Sequence, residues 1–142
     1  MAGYSGTPLA KKLGIKAGQR VGVMGDPGYF GGIVAPLPVG AQLVRNPRGA
    51  CDVYVAFSPD RRTFERRLEQ ATRTLPADAS IWITWPKRAS GVPTDMTEDV
   101  VREVALPRKL VDVKVCAVDE VWSGLKLVVR KEHRNAWSSG DR

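Results

Sequence analysis

Short apolar runs closed by glycine or proline alternate along this chain with segments whose apolar residues recur every three or four positions. RVGVM (20–24) is a continuous apolar run ending at Gly25, Asp26, Pro27 and Gly28, the pattern of a buried strand entering a turn. AQLVR (41–45) is a weaker strand candidate, and DVYVAF (52–57), rich in β-branched and aromatic residues, is a stronger one that stops at Ser58-Pro59. SIWITW (80–85), VDVKVCAV (111–118) and LKLVVR (125–130) complete the strands; the last two are joined through the polar turn DEVWSG (119–124) as an antiparallel hairpin.

The helical segments follow the other period. Phe64, Leu68, Ala71 and Leu75 predict a helix over residues 60–75 with one apolar stripe, and Arg62, Arg66 and Arg73 fall opposite it. Glu69 stands within reach of Arg66 and Arg73, so a solvated, salt-bridged face is favoured over a helix that reads nucleic acid. Met96, Val100, Val101 and Val104 predict a second helix, with Asp95 and Glu98 at the spacing of a capping box. Near the start, Ser5 or Thr7 with Pro8 suits a short helix that ends before Gly14.

Strands alternating with helices imply right-handed crossovers and a mostly parallel sheet covered on both faces. The expected fold is α/β: a small, trimmed Rossmann-like three-layer sandwich with an antiparallel edge strand or hairpin at its C-terminus. Residues 1–131 are expected to form a single domain, and the polar tail 132–142 to be flexible unless Trp137 docks.

Composition narrows this picture. With 43% hydrophobic and 26% charged residues among 142, the chain reads as one globular domain. No apolar run approaches the roughly 20 residues of a membrane helix, and MAGYSGTPLAKK lacks a signal-peptide core, so a cytoplasmic location with no membrane partner is expected. Cys51 and Cys116 each lie inside an apolar run and read as reduced core residues. His133 is the only histidine, which argues against structural zinc. The net charge of +7 is uneven: residues 1–50 hold six Lys/Arg against Asp26 alone. A basic face of that kind attracts phosphate, nucleotide or nucleic acid, or simply keeps the protein soluble.

GYSGTPLAKKLGI (3–15), WPKRASGVPTDMTEDVVREV (85–104) and LVDVKVCAVDEVWSGLKLV (110–128) resemble an uncharacterised, mainly actinobacterial family, domain of unknown function 3052. The resemblance implies a small bacterial cytoplasmic protein and carries no activity with it. More distantly, the order of segments is similar to that of Rossmann-like methyltransferases. Only residues 25–51 separate the first strand from that at 52–57, so the chain looks like a trimmed version of that plan.

Cofactor chemistry is poorly represented. The turn G-D-P-G-Y-F-G-G (25–32) is not G-x-G-x-x-G, because Pro27 stands where the second glycine belongs and removes a backbone N–H. The positions about 20 residues onward, Val44, Arg45 and Asn46, offer no carboxylate for ribose hydroxyls, although Arg45 suits a 2′-phosphate. No P-loop and no G-x-S-x-G elbow is present. No catalytic residue, metal ligand or resident cofactor is assigned, with S-adenosylmethionine or a nucleotide kept as the less favoured case.

What remains is an edge. In open α/β sheets ligands bind outside the carboxyl ends of the strands. The loops beginning at Gly25, Ser58 and Pro86, with the turn 119–124, would bring Asp26, Tyr29, Ser58, Lys87, Arg88, Ser90, Gly91, Thr94 and Trp122 to that edge. Cations and hydroxyls there suit an anion, with Tyr29 or Trp122 as an apolar wall and a helix N-terminus near Asp95 beside them. Ser5-Gly6-Thr7-Pro8 and Ser90-Gly91-Val92-Pro93 share the pattern S-G-x-P ahead of a helix, and if the two loops meet, Lys11 and Lys12 join Lys87 in one basic pocket. The leading expectation is a non-catalytic binding or regulatory module for a small anionic ligand, a nucleotide or phosphometabolite. One alternative is an S-adenosylmethionine-dependent methyltransferase-like enzyme, with Asp26 near the cofactor. The other is a module that contacts nucleic acid or protein through the basic N-terminal face. Oligomeric state is left open.

Overall fold

A computed structural model describes residues 7–138. One sheet of six strands organises it: β1 (Arg20–Met24), β2 (Gln42–Arg45), β3 (Val53–Phe57), β4 (Ser80–Pro86), β5 (Leu110–Ala117) and β6 (Trp122–Val129), in the order β2-β1-β3-β4-β6-β5. The first four strands are parallel, and β6 runs antiparallel to both β4 and β5. The expected mostly parallel sheet with a C-terminal hairpin is therefore what forms. The hairpin starts earlier than the sequence suggests: Trp122 and Ser123 are already paired with Pro86 and Trp85.

Alternation along the strands divides the core in two. Tyr54, Ala56, Ile81 and Ile83 face α3 (Arg61–Thr72) and α4 (Glu98–Ala105), while Val53, Val55, Phe57 and Trp82 face α1 (Leu9–Lys12) and α2 (Phe30–Val34). Phe64 and Leu68 of α3 are wholly buried, each burial stabilising by roughly 1.5–3 kcal/mol. Trp82 Nε1 donates to Leu13 O at 2.9 Å, fastening the end of α1 to the middle of β4. Gly22 leaves room for Pro47 and Cys51 to press on β1; a Cβ there would lie 2.5 Å from Pro47 Cγ and 2.9 Å from Cys51 Sγ. Both cysteines are buried and free.

Several local expectations are corrected. Helix α2 runs through Gly31 and Gly32, whose poor helix propensity hides it in the sequence, and it is held because Phe30 and Val34 bury one turn apart. Asp95 does not cap the helix that follows it. Thr97 is the cap, its Oγ1 accepting from Val100 N at 3.1 Å, whereas Asp95 Oδ1 accepts from Arg61 N at 2.8 Å at the start of α3. Among the described residues no side chain caps α1: Pro8 stands at that position without a cap hydrogen bond, and Ser5 and Gly6 lie outside the described residues. The polar tail is tied back as far as Trp137, whose Nε1 donates to Leu75 O at 2.8 Å, with Arg134 Nε donating to Val129 O. Among the described residues no helix is long and apolar enough to cross a membrane.

Candidate functional site

From β1 the chain passes to β2 on one side and then to β3 on the other, so the switch point lies between β1 and β3. Such a crevice at the carboxyl ends is where open α/β sheets take ligands. The loops after β1, β3 and β4 open there, and the β5–β6 turn joins them through Lys87 N donating to Val121 O at 2.8 Å.

Asp26 organises the turn after β1: its Oδ1 accepts from Gly28 N at 2.8 Å and from Phe30 N at 3.2 Å, so these two donors are spent within the protein. Tyr29 and Trp122 do meet. Trp122 Nε1 donates to Tyr29 Oη at 2.9 Å, and the indole stands edge-on to Phe57 at 5.0 Å between ring centres. Partial burial raises the Tyr29 phenol pKa, and Asp119 adds to the rise.

The hydroxyls of the expected site serve the fold. Ser58 is wholly buried and its Oγ donates to Ala56 O. Ser90 Oγ donates to Lys87 O at 2.7 Å and accepts from Val92 N, and Gly91 closes that turn with φ 76°. Thr94 Oγ1 donates to Pro59 O at 2.6 Å and accepts from Met96 N. Lys87 and Arg88 remain partly or fully exposed at the rim of the edge. Lys11 lies elsewhere, beside a groove with Pro8, Ile15 and Pro38 on the α1 face, and Lys12 Nζ donates to Ala117 O at 3.0 Å. Neither α1 lysine is among the residues lining the cleft at the β1 end of that edge.

The concave part of the edge is a cleft of about 390 Å³ lined by Val23, Gly25, Asp26, Arg45, Asn46 and Arg67. Arg67 is the residue that sequence reasoning missed. It follows Phe64 by three and precedes Ala71 by four, so it flanks the apolar stripe of α3 and its side chain is carried along the sheet edge instead of into solvent. Its guanidinium lies over Gly25, occupying the space that a side chain there would need. Burial lowers its pKa, with Arg66 adding to the effect, and no carboxylate forms an ion pair with it among the described residues. Arg45 closes the cleft from the end of β2, and Asn46, at φ 47°, donates its N–H back to Val23 O. Two cations thus share a cleft whose one carboxylate already accepts two hydrogen bonds. A phosphate or carboxylate is the complementary ligand. No group of His, Cys, Asp and Glu suited to a metal occurs among the described residues.

No family model matches the chain, and no curated protein does, so the likeness to domain of unknown function 3052 rests on the quoted segments alone. Solved structures do match. TrmN from Thermus thermophilus superposes with a TM-score of 0.56 at 10% identity, over 85% of this chain and 47% of its own. A SAM dependent methyltransferase from Aquifex aeolicus gives 0.54 at 13% identity, over 84% of this chain and 86% of its own. DhpI in its SAH complex gives 0.55 at 10% identity, over 87% and 84%. This chain thus spans under half the length of TrmN.

The residues of the cleft do not suit S-adenosylmethionine. The end of β2 presents Arg45 and Asn46 instead of a carboxylate for ribose hydroxyls, Arg67 fills the space over Gly25, and a sulfonium would meet two cations. The fold is nonetheless plain: the chain has the Rossmann-like α/β architecture found in methyltransferases.

Proposed function

We propose that the carboxyl edge of this methyltransferase-like fold binds a small anionic ligand, a nucleotide or another phosphorylated metabolite. The observation that carries the reading is Arg67: a partly buried guanidinium over the glycine turn, with no carboxylate ion-paired to it among the described residues and with Arg45 across the same cleft. The volume lies in the range of small-molecule sites. Lys87 and Arg88 at the rim add long-range attraction, and Tyr29 with Trp122 supplies an apolar wall.

S-adenosylmethionine-dependent methyl transfer is the second reading. The solved structures favour it over a non-catalytic module, since one is a SAM dependent methyltransferase and another holds SAH. The residues of the cleft weigh the other way.

Titration calorimetry with ADP, inorganic phosphate and S-adenosylmethionine separates the two. The first reading expects heat with the phosphate ligands, and a loss of about tenfold or more in affinity for Arg67→Gln, since a hydrogen bond to a charged group is worth about 1.5–3 kcal/mol. Heat with S-adenosylmethionine and none with the phosphates establishes the second and overturns the first.

A further inference from the structure

The cleft between β1, β2 and α3 holds more than two cations. Asp26, Arg45, Asn46 and Arg67, which line it, all keep hydrogen-bonding capacity that the fold does not use. Asp26 spends Oδ1 on Gly28 N and Phe30 N, and among the described residues its Oδ2 accepts nothing. Asn46 donates its backbone N–H to Val23 O, while its side-chain amide has no hydrogen-bond partner among the described residues. The guanidinium groups of Arg45 and Arg67 likewise make no hydrogen bond or ion pair with a described residue, although Asp60 lies near enough to Arg67 to favour its charge. Side chains that serve only to fold a loop are consumed by it, as those of Ser90 and Thr94 are.

The unused groups select a ligand together. A carboxylate offers two oxygens in one plane, which a single guanidinium satisfies; a phosphomonoester offers three tetrahedrally placed oxygens, which accept from guanidinium groups on two walls. Asp26 Oδ2 repels an anion on contact, so the ligand needs a donor beside its phosphate, and a hydroxyl supplies one. Apolar surface is scarce. Val23 carries the only apolar side chain in the lining, and the wall of Tyr29 and Trp122 stands outside it. The guanidinium groups, the other surfaces able to stack on a nucleobase, are engaged by the phosphate. We propose, deepening the anion reading above and resting on it, that the ligand is a sugar phosphate without a nucleobase. Its phosphate lies between Arg45 and Arg67, a hydroxyl donates to Asp26 Oδ2, and the Asn46 amide takes a second hydroxyl.

Titration calorimetry with ribose 5-phosphate, AMP and methyl phosphate tests this, since all three carry a phosphomonoester and they differ in hydroxyls and base. Ribose 5-phosphate is expected to bind about tenfold or more tighter than methyl phosphate, because its hydroxyl gains a hydrogen bond to a charged group. AMP is expected within about threefold of ribose 5-phosphate, because its base finds nothing to stack on. Asp26→Asn keeps an acceptor for Gly28 and Phe30 and turns the second oxygen into a donor. It is expected to abolish the preference for ribose 5-phosphate over methyl phosphate, whereas Arg67→Gln weakens all three ligands about tenfold. The ligand comparison on the wild-type protein needs no variant, so it decides even where Asp26→Asn disturbs the turn. Equal affinity for ribose 5-phosphate and methyl phosphate, a preference that survives Asp26→Asn, or AMP binding about tenfold tighter than ribose 5-phosphate overturns the sugar-phosphate assignment and leaves the anion site standing. No heat from any of the three overturns the anion site itself.

Discussion

The guanidinium of Arg67 lies against Gly25, in the space that any other residue's Cβ would claim. Gly25 also has φ 69°, a left-handed conformation that costs an L-residue about 1–2 kcal/mol. Gly25→Ala is therefore expected to destabilise the protein by more than that, through strain and displacement of Arg67 together. Adding Arg67→Ala should return only the collision part. Urea denaturation of the two single variants and the double variant measures the coupling; strictly additive losses would show that the contact carries no energy.

Trp122 and Tyr29 tie the hairpin turn to the turn after β1. Tyr29→Phe is expected to cost roughly 0.5–1 kcal/mol, the lower half of the range for a hydrogen bond because the phenol is 40% exposed. The pH dependence has a definite sign. Burial and Asp119 raise the Tyr29 pKa, so the neutral phenol is the form the fold prefers. Its contribution is full below the unfolded value near 10 and is lost as pH rises through the folded value. Tyr54 shifts the same way, so the informative quantity is the difference in melting temperature between wild type and Tyr29→Phe. That difference should shrink above pH 10.

Asp95 and Thr97 are two residues apart and serve different helices. Thr97→Ala is expected to cost about 1 kcal/mol and to speed amide exchange at Val100 in α4. Asp95→Ala should instead speed exchange at the Arg61 amide in α3. Hydrogen exchange followed by NMR distinguishes them, and protection lost first in α4 for both variants would contradict the assignment.

Trp137 reaches back across the tail to the carbonyl of Leu75. Trp137→Phe keeps most of the apolar contact and removes the donor, with an expected cost of about 1 kcal/mol by thermal or chemical denaturation. Unchanged stability would mean that the tail adds nothing to the fold.

The strands were legible because their apolar runs are bounded by turn residues, and β1 and β4 are buried along almost their whole length. Helix α3 was legible from Phe64, Leu68, Ala71 and Leu75. Helix α2 was not, since tertiary burial of Phe30 and Val34 overrides its two glycines. The loop 87–94 drew attention through residue types that favour ligands, yet Ser90, Gly91 and Thr94 are also the residues that fold loops, and here they do so. Arg67 escaped because a helical wheel separates buried from solvated faces and does not show which boundary residue ends at the sheet edge. Tyr29 and Trp122 were placed at the edge only as alternative apolar walls, from the strand ends they follow; that their side chains hydrogen-bond depends on the sheet order and was not legible.

β2 is the last strand on its side of the sheet. Among the described residues no further strand stands beyond β2, so on that side Arg45 and Asn46 alone would separate a ligand in the cleft from solvent. Ordinary small-molecule sites cover 70–90% or more of their ligand. If the proposed ligand binds there, such a thin wall would favour rapid exchange, so that occupancy would follow the surrounding concentration, as in a gauge and not a store.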